Sequence, residues 1–247
     1  MHQDLHVSSR AYHEHKDARS EDARPSDRCL LASSPLCLFI SPIKKLIGCA
    51  IAPAEKHTMK LQGKKIAVLI EGDFYEDEIL YYKHRFPEEG VSLHFLSRLW
   101  GQPALTFQGH EYRAPLTCDQ SFENMDDATL RSYAAVIVPS GMVADRLRYT
   151  EDINKLPPAT QFLQRAFAEP GIIKGIICHG MWLIAPTPEL VRGRRVVVHN
   201  NLLGDARNMG AIYTDQDVVV DGDLVTGRSG GHCHLFARKI IDMLCER

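Results

Sequence analysis

The stretch GIIKGIICHGMWLI, residues 171–184, decides the fold. Its first eight residues form a short apolar run, with Ile172, Ile173, Ile176 and Ile177 alternating in pairs. Such a run reads as a strand buried on both faces, the kind found inside a parallel sheet. The run ends on Cys178, His179 and Gly180, and Met181 to Ile184 then open a helix. Strand, tight turn and helix in that order lift the turn residue to the top of the sheet, which is the layout of a nucleophile elbow. A thiol held there faces the positive end of a helix, an arrangement that favours the thiolate and predicts a lowered pKa. His179 beside it can exchange protons near neutral pH. Packed as a small apolar group, the fate of most free cysteines, Cys178 would carry no chemistry.

Outward from this stretch the chain alternates strand and helix. KKIAVLI (64–70) reads as a strand, and Glu78 to Glu89 follows as a helix with Ile79, Tyr82, Lys83 and Phe86 at helical spacing. Gly90 stands where a helix C-cap belongs, with Pro87 disturbing the last turn. VSLHFLS (91–97) is a second strand, and the polar stretch 100–125 reads as a loop or small hairpin. AAVIVP (134–139) is a buried strand ending at Ser140 and Gly141, and Pro158 to Ala168 forms a helix. VVVHN, DVVVDGD and LVTGR are short later strands, the last two joined across Gly222. Cys233, Phe236, Ile240 and Met243 put one apolar stripe on a C-terminal helix. Strands separated by helices of this length predict an α/β sandwich, a parallel sheet with helices on both faces. In such sheets ligands lie at the carboxyl ends of the strands.

Composition narrows the function classes. With 45% apolar residues in 247, the chain can bury a sizeable core, so disorder throughout is excluded. The 29 Lys+Arg against 31 Asp+Glu, mixed along the chain, provide no field for a nucleic-acid backbone or an anionic membrane. Small molecules or another copy of the chain are the expected partners. Seven cysteines without a CxxC pair fit neither a disulfide framework nor a zinc ribbon, which points to a reducing, cytoplasmic setting. Residues 1–27 hold four histidines and two Asp-Ala-Arg repeats without apolar period. The apolar stretch from Cys29 to Ala54 is cut by Pro35, Pro42, Lys44 and Lys45 into pieces too short for a bilayer that needs roughly 20 residues. Residues 1–58 are therefore expected to be disordered or an over-extended start, and 59–247 to be a single domain.

The segments KKIAVLIEGDFYEDE, HRFPEEG, AVIVPSGMVADRLR, GIICHG, VVVDGDLVTGR and HLFARKIIDML occur in an order and spacing that resemble the ThiJ/PfpI superfamily, over about residues 63–245. The resemblance implies a flavodoxin-like, class I glutamine-amidotransferase-like sandwich with Cys178 as nucleophile and His179 beside it. It also implies an acidic residue after the first strand that hydrogen-bonds the cysteine sulfur. Within Phe74-Tyr75-Glu76-Asp77-Glu78, an ungapped match puts Tyr75 there and a one-residue bulge puts Glu76 there; Glu76 is the favoured choice. Acidic residues at that place also serve simply to complement a helix N-terminus. In the protease-like branch an acid from the segment after the Pro-Gly-Gly strand reaches a neighbouring subunit's histidine, and Asp145 matches it. A surface carboxylate paired with Arg146 or Arg148 is the plainer account of Asp145. Ser140 replaces the first glycine of that motif, while Gly141 remains, and the N–H groups of Gly141 and His179 are the implied oxyanion hole.

Taken together these readings predict a cofactor-independent cysteine enzyme acting on carbonyl compounds; the resemblance implies a glyoxalase, deglycase, or amide or peptide hydrolase, and its cross-subunit acid implies a homodimer or a ring of dimers. No cofactor or metal is called for. His232 and His234 flank Cys233, but adjacent helical positions do not converge on one ion. Gly227 to Gly231 lacks the lysine of a phosphate-binding loop and reads as a turn feeding the last helix. A glutamine-amidotransferase subunit would need a late His-x-Glu pair, which the sequence lacks. The competing class is a chaperone-like or redox-sensing protein that uses the same cysteine.

Overall fold

The computed structural model describes residues 59–247, which all fall within one compact unit. The expectations for residues 1–58 lie outside the described residues. The strands are β1 (Lys65–Leu69), β2 (Ser92–Ser97), β3 (Leu105–Gln108), β4 (Pro115–Cys118), β5 (Gln120–Ser121) and β6 (Tyr133–Val138). They continue with β7 (Ile173–Ile177), β8 (Arg195–Val196), β9 (Ile212–Tyr213), β10 (Val218–Asp221) and β11 (Leu224–Gly227). The helices are α1 (Glu76–Glu88), α2 (Asp127–Arg131), α3 (Val143–Leu147), α4 (Pro158–Ala168), α5 (Leu203–Asn208) and α6 (Cys233–Cys245). Seven strands form the main sheet in the order β10-β11-β7-β6-β1-β2-β5. Every pairing in it is parallel except the β10–β11 hairpin, which turns at Gly222 with a positive φ of 58°. The α/β sandwich expected from the alternating pattern is therefore present.

Burial explains the order. β1, β6 and β7 lie in the middle of the sheet, and Ile66 to Leu69, Ala135 to Val138 and Ile173 to Ile177 are all buried. That is why these strands read as continuous apolar runs. Lys174 is the one buried charge within them. It is covered by its own surroundings, with its ammonium donating to Asp223 and to the Glu169 carbonyl. The two helix layers pack separately. α6 lies beside β7 and β11 and against α1, while α4 packs with α3 and the turn after β7. Gly175 permits the first of these contacts, because a Cβ there would stand 2.8 Å from the Phe236 ring.

The small hairpin expected within 100–125 is present as β3–β4, followed by the short edge strand β5. Three local readings are corrected. VVVHN contributes only Val196 to a strand. α1 begins two residues earlier than its apolar spacing suggests, because Glu76, Asp77 and Glu78 all fall in its first turn. The segment after β7 is a 3₁₀ turn, Cys178–Ile184, rather than the start of an α-helix. Among the described residues no helix is long and apolar enough to cross a membrane.

Candidate active site

Four neighbouring parallel strands, β11, β7, β6 and β1, end on the same edge of the sheet, and the loops leaving them meet there. They bring together Tyr75 after β1, Ser140 to Met142 after β6, Cys178 and His179 after β7, and Ser229 to Gly231 after β11. With His110, Glu111 and His199 these line a cavity of about 260 Å³. The carboxyl-edge location expected for a ligand thus coincides with a real concavity.

Cys178 sits at the exit of β7 with a φ of 58°, a left-handed conformation that is costly for a residue with a side chain. The chain accepts it because the turn is fixed on both sides. Gly180 comes so close to β6 that a Cβ would lie 2.8 Å from the Val138 carbonyl. Cys178 is 8% exposed, and its sulfur lies 3.2 Å from His179 Nδ1. Burial pushes the Cys178 thiol up to about 11, against the N–H groups of His179, Gly230 and Gly141 that face the sulfur and favour its charged form. The nearby charge of Glu78 adds to the upward push. The lowered thiol pKa expected from the sequence is thus reversed in sign, since desolvation outweighs the backbone donors. His179 is held below the usual histidine range, first by burial and then by the neighbouring His199. A neutral imidazole beside a protonated thiol is the resulting ground state.

The acidic residue beneath this site is Glu78, not Glu76. Glu76 turns away, accepting the Glu111 and Tyr112 N–H groups at 2.9 and 2.8 Å. Burial works to raise its pKa, but those N–H groups prevail and hold it below the ordinary carboxylate value. Its carboxylate fills the space over Gly109, where a Cβ would lie 2.1 Å away, so Glu76 anchors the β3–β4 loop that carries His110 and Glu111. Glu78 is fully buried. Its Oε2 accepts the Ser140 N–H at 3.0 Å and the Ser140 hydroxyl, while Oε1 makes no hydrogen bond of full geometry among the described residues and the Tyr82 hydroxyl lies beside the carboxyl group. Burial pushes Glu78 up to about 7, with the Ser140 donors pulling the other way. Glu78, Tyr82 and Phe86 are spaced four apart and are all buried, so the helical stripe visible in the sequence already pointed at Glu78.

The remaining expected residues divide. Tyr75 lines the cavity, packs its ring over Gly230 and donates its hydroxyl to Asp77, 3.2 Å away. Asp145 is exposed and makes no ion pair among the described residues. The guanidinium of Arg146 goes to Asp73 instead, and the expected pairing of Asp145 with Arg146 or Arg148 is absent among the described residues. Ser140 is not a defect in the motif, because its hydroxyl and N–H are what hold Glu78. His199 and Gly230 were missed by sequence reasoning. His199 stacks on His179 with ring centroids 4.7 Å apart and planes 29° apart. Gly230 belongs to the turn read only as a feeder of α6, and its N–H faces the sulfur. His232 faces Ser229 and Asp217, and no metal-binding cluster exists among the described residues.

Gly141 is indispensable to this layout. Its φ is 82°, and a Cβ would meet the Asp73 carbonyl at 2.5 Å and the Tyr75 nitrogen at 2.9 Å. Gly141→Ala is expected to destabilise the fold by about 2–4 kcal/mol, from backbone strain and overpacking together. Urea unfolding checks this. Gly171→Ala, where a Cβ meets open space, is the control expected to change little.

A parallel α/β sandwich of flavodoxin-like class, with a buried thiol at the carboxyl edge of its sheet, defines the kind of protein this is. The DJ-1/PfpI family profile matches residues 64–243, and the chain belongs to that family. It is 32% identical over 182 residues to protein/nucleic acid deglycase 2 of Escherichia coli, covering 73% of this chain and 98% of that protein. It is 27% identical over 181 residues to deglycase PfpI of Pyrococcus furiosus, covering 73% of this chain and 99% of the relative. Among solved structures, a two-domain protein of Anabaena variabilis with DJ-1/ThiJ/PfpI-like and ferritin-like domains superposes with a TM-score of 0.64 at 26% identity. That match covers 73% of this chain and 48% of the other.

Proposed function

We propose that this protein is a cofactor-independent cysteine enzyme of the deglycase type, acting on carbonyl carbon with Cys178 as nucleophile and His179 as general base. The observation that carries the reading is the 3.2 Å contact between Cys178 Sγ and His179 Nδ1 on a turn held at positive φ. The relatives named deglycases support the reaction class. As the sulfur attacks, the S–H proton passes to His179, an S–C bond forms, and the carbonyl π pair moves onto oxygen. The N–H groups of Gly141 and His179, with that of Gly230, supply donors for this oxyanion. With an aldehyde the oxyanion takes the proton back from His179, and the product of this step is a hemithioacetal. With an amide, the leaving nitrogen takes the proton back from His179 as the C–N bond breaks, and water then cleaves the thioester. Glu78, in place of Glu76, serves as the buried acid whose proton and charge are coupled to the thiol. Turnover of methylglyoxal, a methylglyoxal-glycated amine and a chromogenic amide by the pure protein tests the class. No steady turnover of any of the three sinks it.

Asp145 completes the proposal across a subunit boundary. An exposed carboxylate without an ion partner can orient the His179 of a second copy in a dimer or a ring of dimers. Asp145→Ala is expected to lower kcat by about tenfold without unfolding the protomer, and dilution to monomer is expected to abolish turnover while the circular dichroism signal persists. Full specific activity from a monomer in sedimentation returns Asp145 to a plain surface role. Free thiols at Cys118, Cys178, Cys233 and Cys245 suit a reducing, cytoplasmic setting.

A further inference from the structure

His179 is gripped on two sides within its own chain. The edge of Trp182 meets it at a centroid distance of 4.9 Å and 62°, and the face of His199 lies on it at 4.7 Å and 29°. The Nδ1 of His199 accepts the Asn201 N–H at 3.3 Å, which leaves Nε2 as the protonated nitrogen of its neutral ring. The following residue is tethered as well, since Arg228 donates to the Asn200 side chain at 3.3 Å. His199 is therefore fixed in position and tautomer, and it lines the same cavity as Cys178.

We infer that His199 is a positioning residue for His179, a stacked imidazole that sets the ring plane from which His179 meets the thiol and disfavours a second positive charge in the cavity. The inference rests on His179 being the base. Two imidazolium ions at this separation in a half-buried site repel, so charge on one of the stacked rings opposes charge on the other. A base must be neutral to accept a proton, so the stack keeps His179 competent at pH values where a solitary imidazole would already carry charge. The surrounding charges do not replace this effect. Glu78 lies beneath Cys178, His110 and Glu111 come from the β3–β4 loop, and Tyr75 from the start of α1. The Arg228 guanidinium is neutralised by Asp215 and Asp217. On α3, Arg146 is paired with Asp73 and Asp145 is exposed.

The test is an NMR titration of histidine-labelled full chain, with the His179 signal assigned by its loss in His179→Gln. In wild type His179 is expected to titrate below the ordinary histidine value. In His199→Phe, which keeps a stacked ring and removes the ionisable imidazole, the titration is expected to move to higher pH, and the acid limb of the kcat profile with it. His199→Gln removes the ionisable imidazole without supplying a ring, is expected to move the titration in the same direction, and decides the matter where the phenylalanine variant fails to fold. An unchanged His179 titration in a folded variant overturns the inference. Failure of the catalytic reading would show separately, as undiminished turnover in Cys178→Ser, and would leave the titration untouched.

Discussion

Cys178→Ser is expected to reduce kcat/KM by about a thousandfold or more, because removal of a covalent nucleophile eliminates the reaction path itself. The fold is expected to survive. Serine is nearly isosteric, the φ of 58° is imposed by the surrounding turn, and the site lies at the sheet edge where the loops meet. Unfolding free energy is expected to stay within about 1 kcal/mol of wild type. His179→Gln gives a graded comparison. Loss of a general base costs about a hundredfold to ten-thousandfold and leaves a thiol that still reacts when the pH is raised. Rescue by high pH in His179→Gln but not in Cys178→Ser would assign the two roles. Comparable turnover in wild type and Cys178→Ser removes the thiol from the mechanism.

Stability against pH provides the second large effect, and it centres on Glu78. Its folded pKa of about 7 lies above the ordinary 4.5, so between those values the folded state holds a proton that the unfolded chain has released. Stability contributed by this group is fully present below about 4.5, falls as pH rises towards 7, and is flat above it. The span amounts to about 3 kcal/mol. Glu78→Gln mimics the protonated acid at every pH. Its amide oxygen can accept the two Ser140 donors, and its nitrogen takes the place of Oε1 and can donate to the buried Tyr82 hydroxyl beside it. The variant is therefore expected to gain on wild type by up to about 3 kcal/mol between about pH 4.5 and about pH 8 in denaturant unfolding. Parallel pH profiles for the two proteins would mean that Glu78 keeps an ordinary pKa despite its burial.

The strands, the parallel class of the sheet and the position of Cys178 at a strand end were legible because each leaves a local mark in the sequence. A doubly buried strand must be apolar along its whole length, as in Ile66 to Leu69 and Ala135 to Val138, and a residue at the end of such a strand must emerge at the sheet edge. Which of three consecutive acids enters the site was only half legible. Successive helical residues point about 100° apart, so Glu76, Asp77 and Glu78 face three directions, and only the stripe through Tyr82 and Phe86 marks the inward one.

Tertiary structure alone decided the rest. His199 lies 20 residues beyond His179, Gly230 lies 51 beyond it, and the His110–Glu111 loop is brought in by two N–H contacts to Glu76, so no sequence spacing joins them. The sign of the Cys178 pKa shift also belongs to three dimensions. It depends on how far the sulfur is removed from water and which charges and dipoles share its cavity, and those are set by the meeting of loops from four strands.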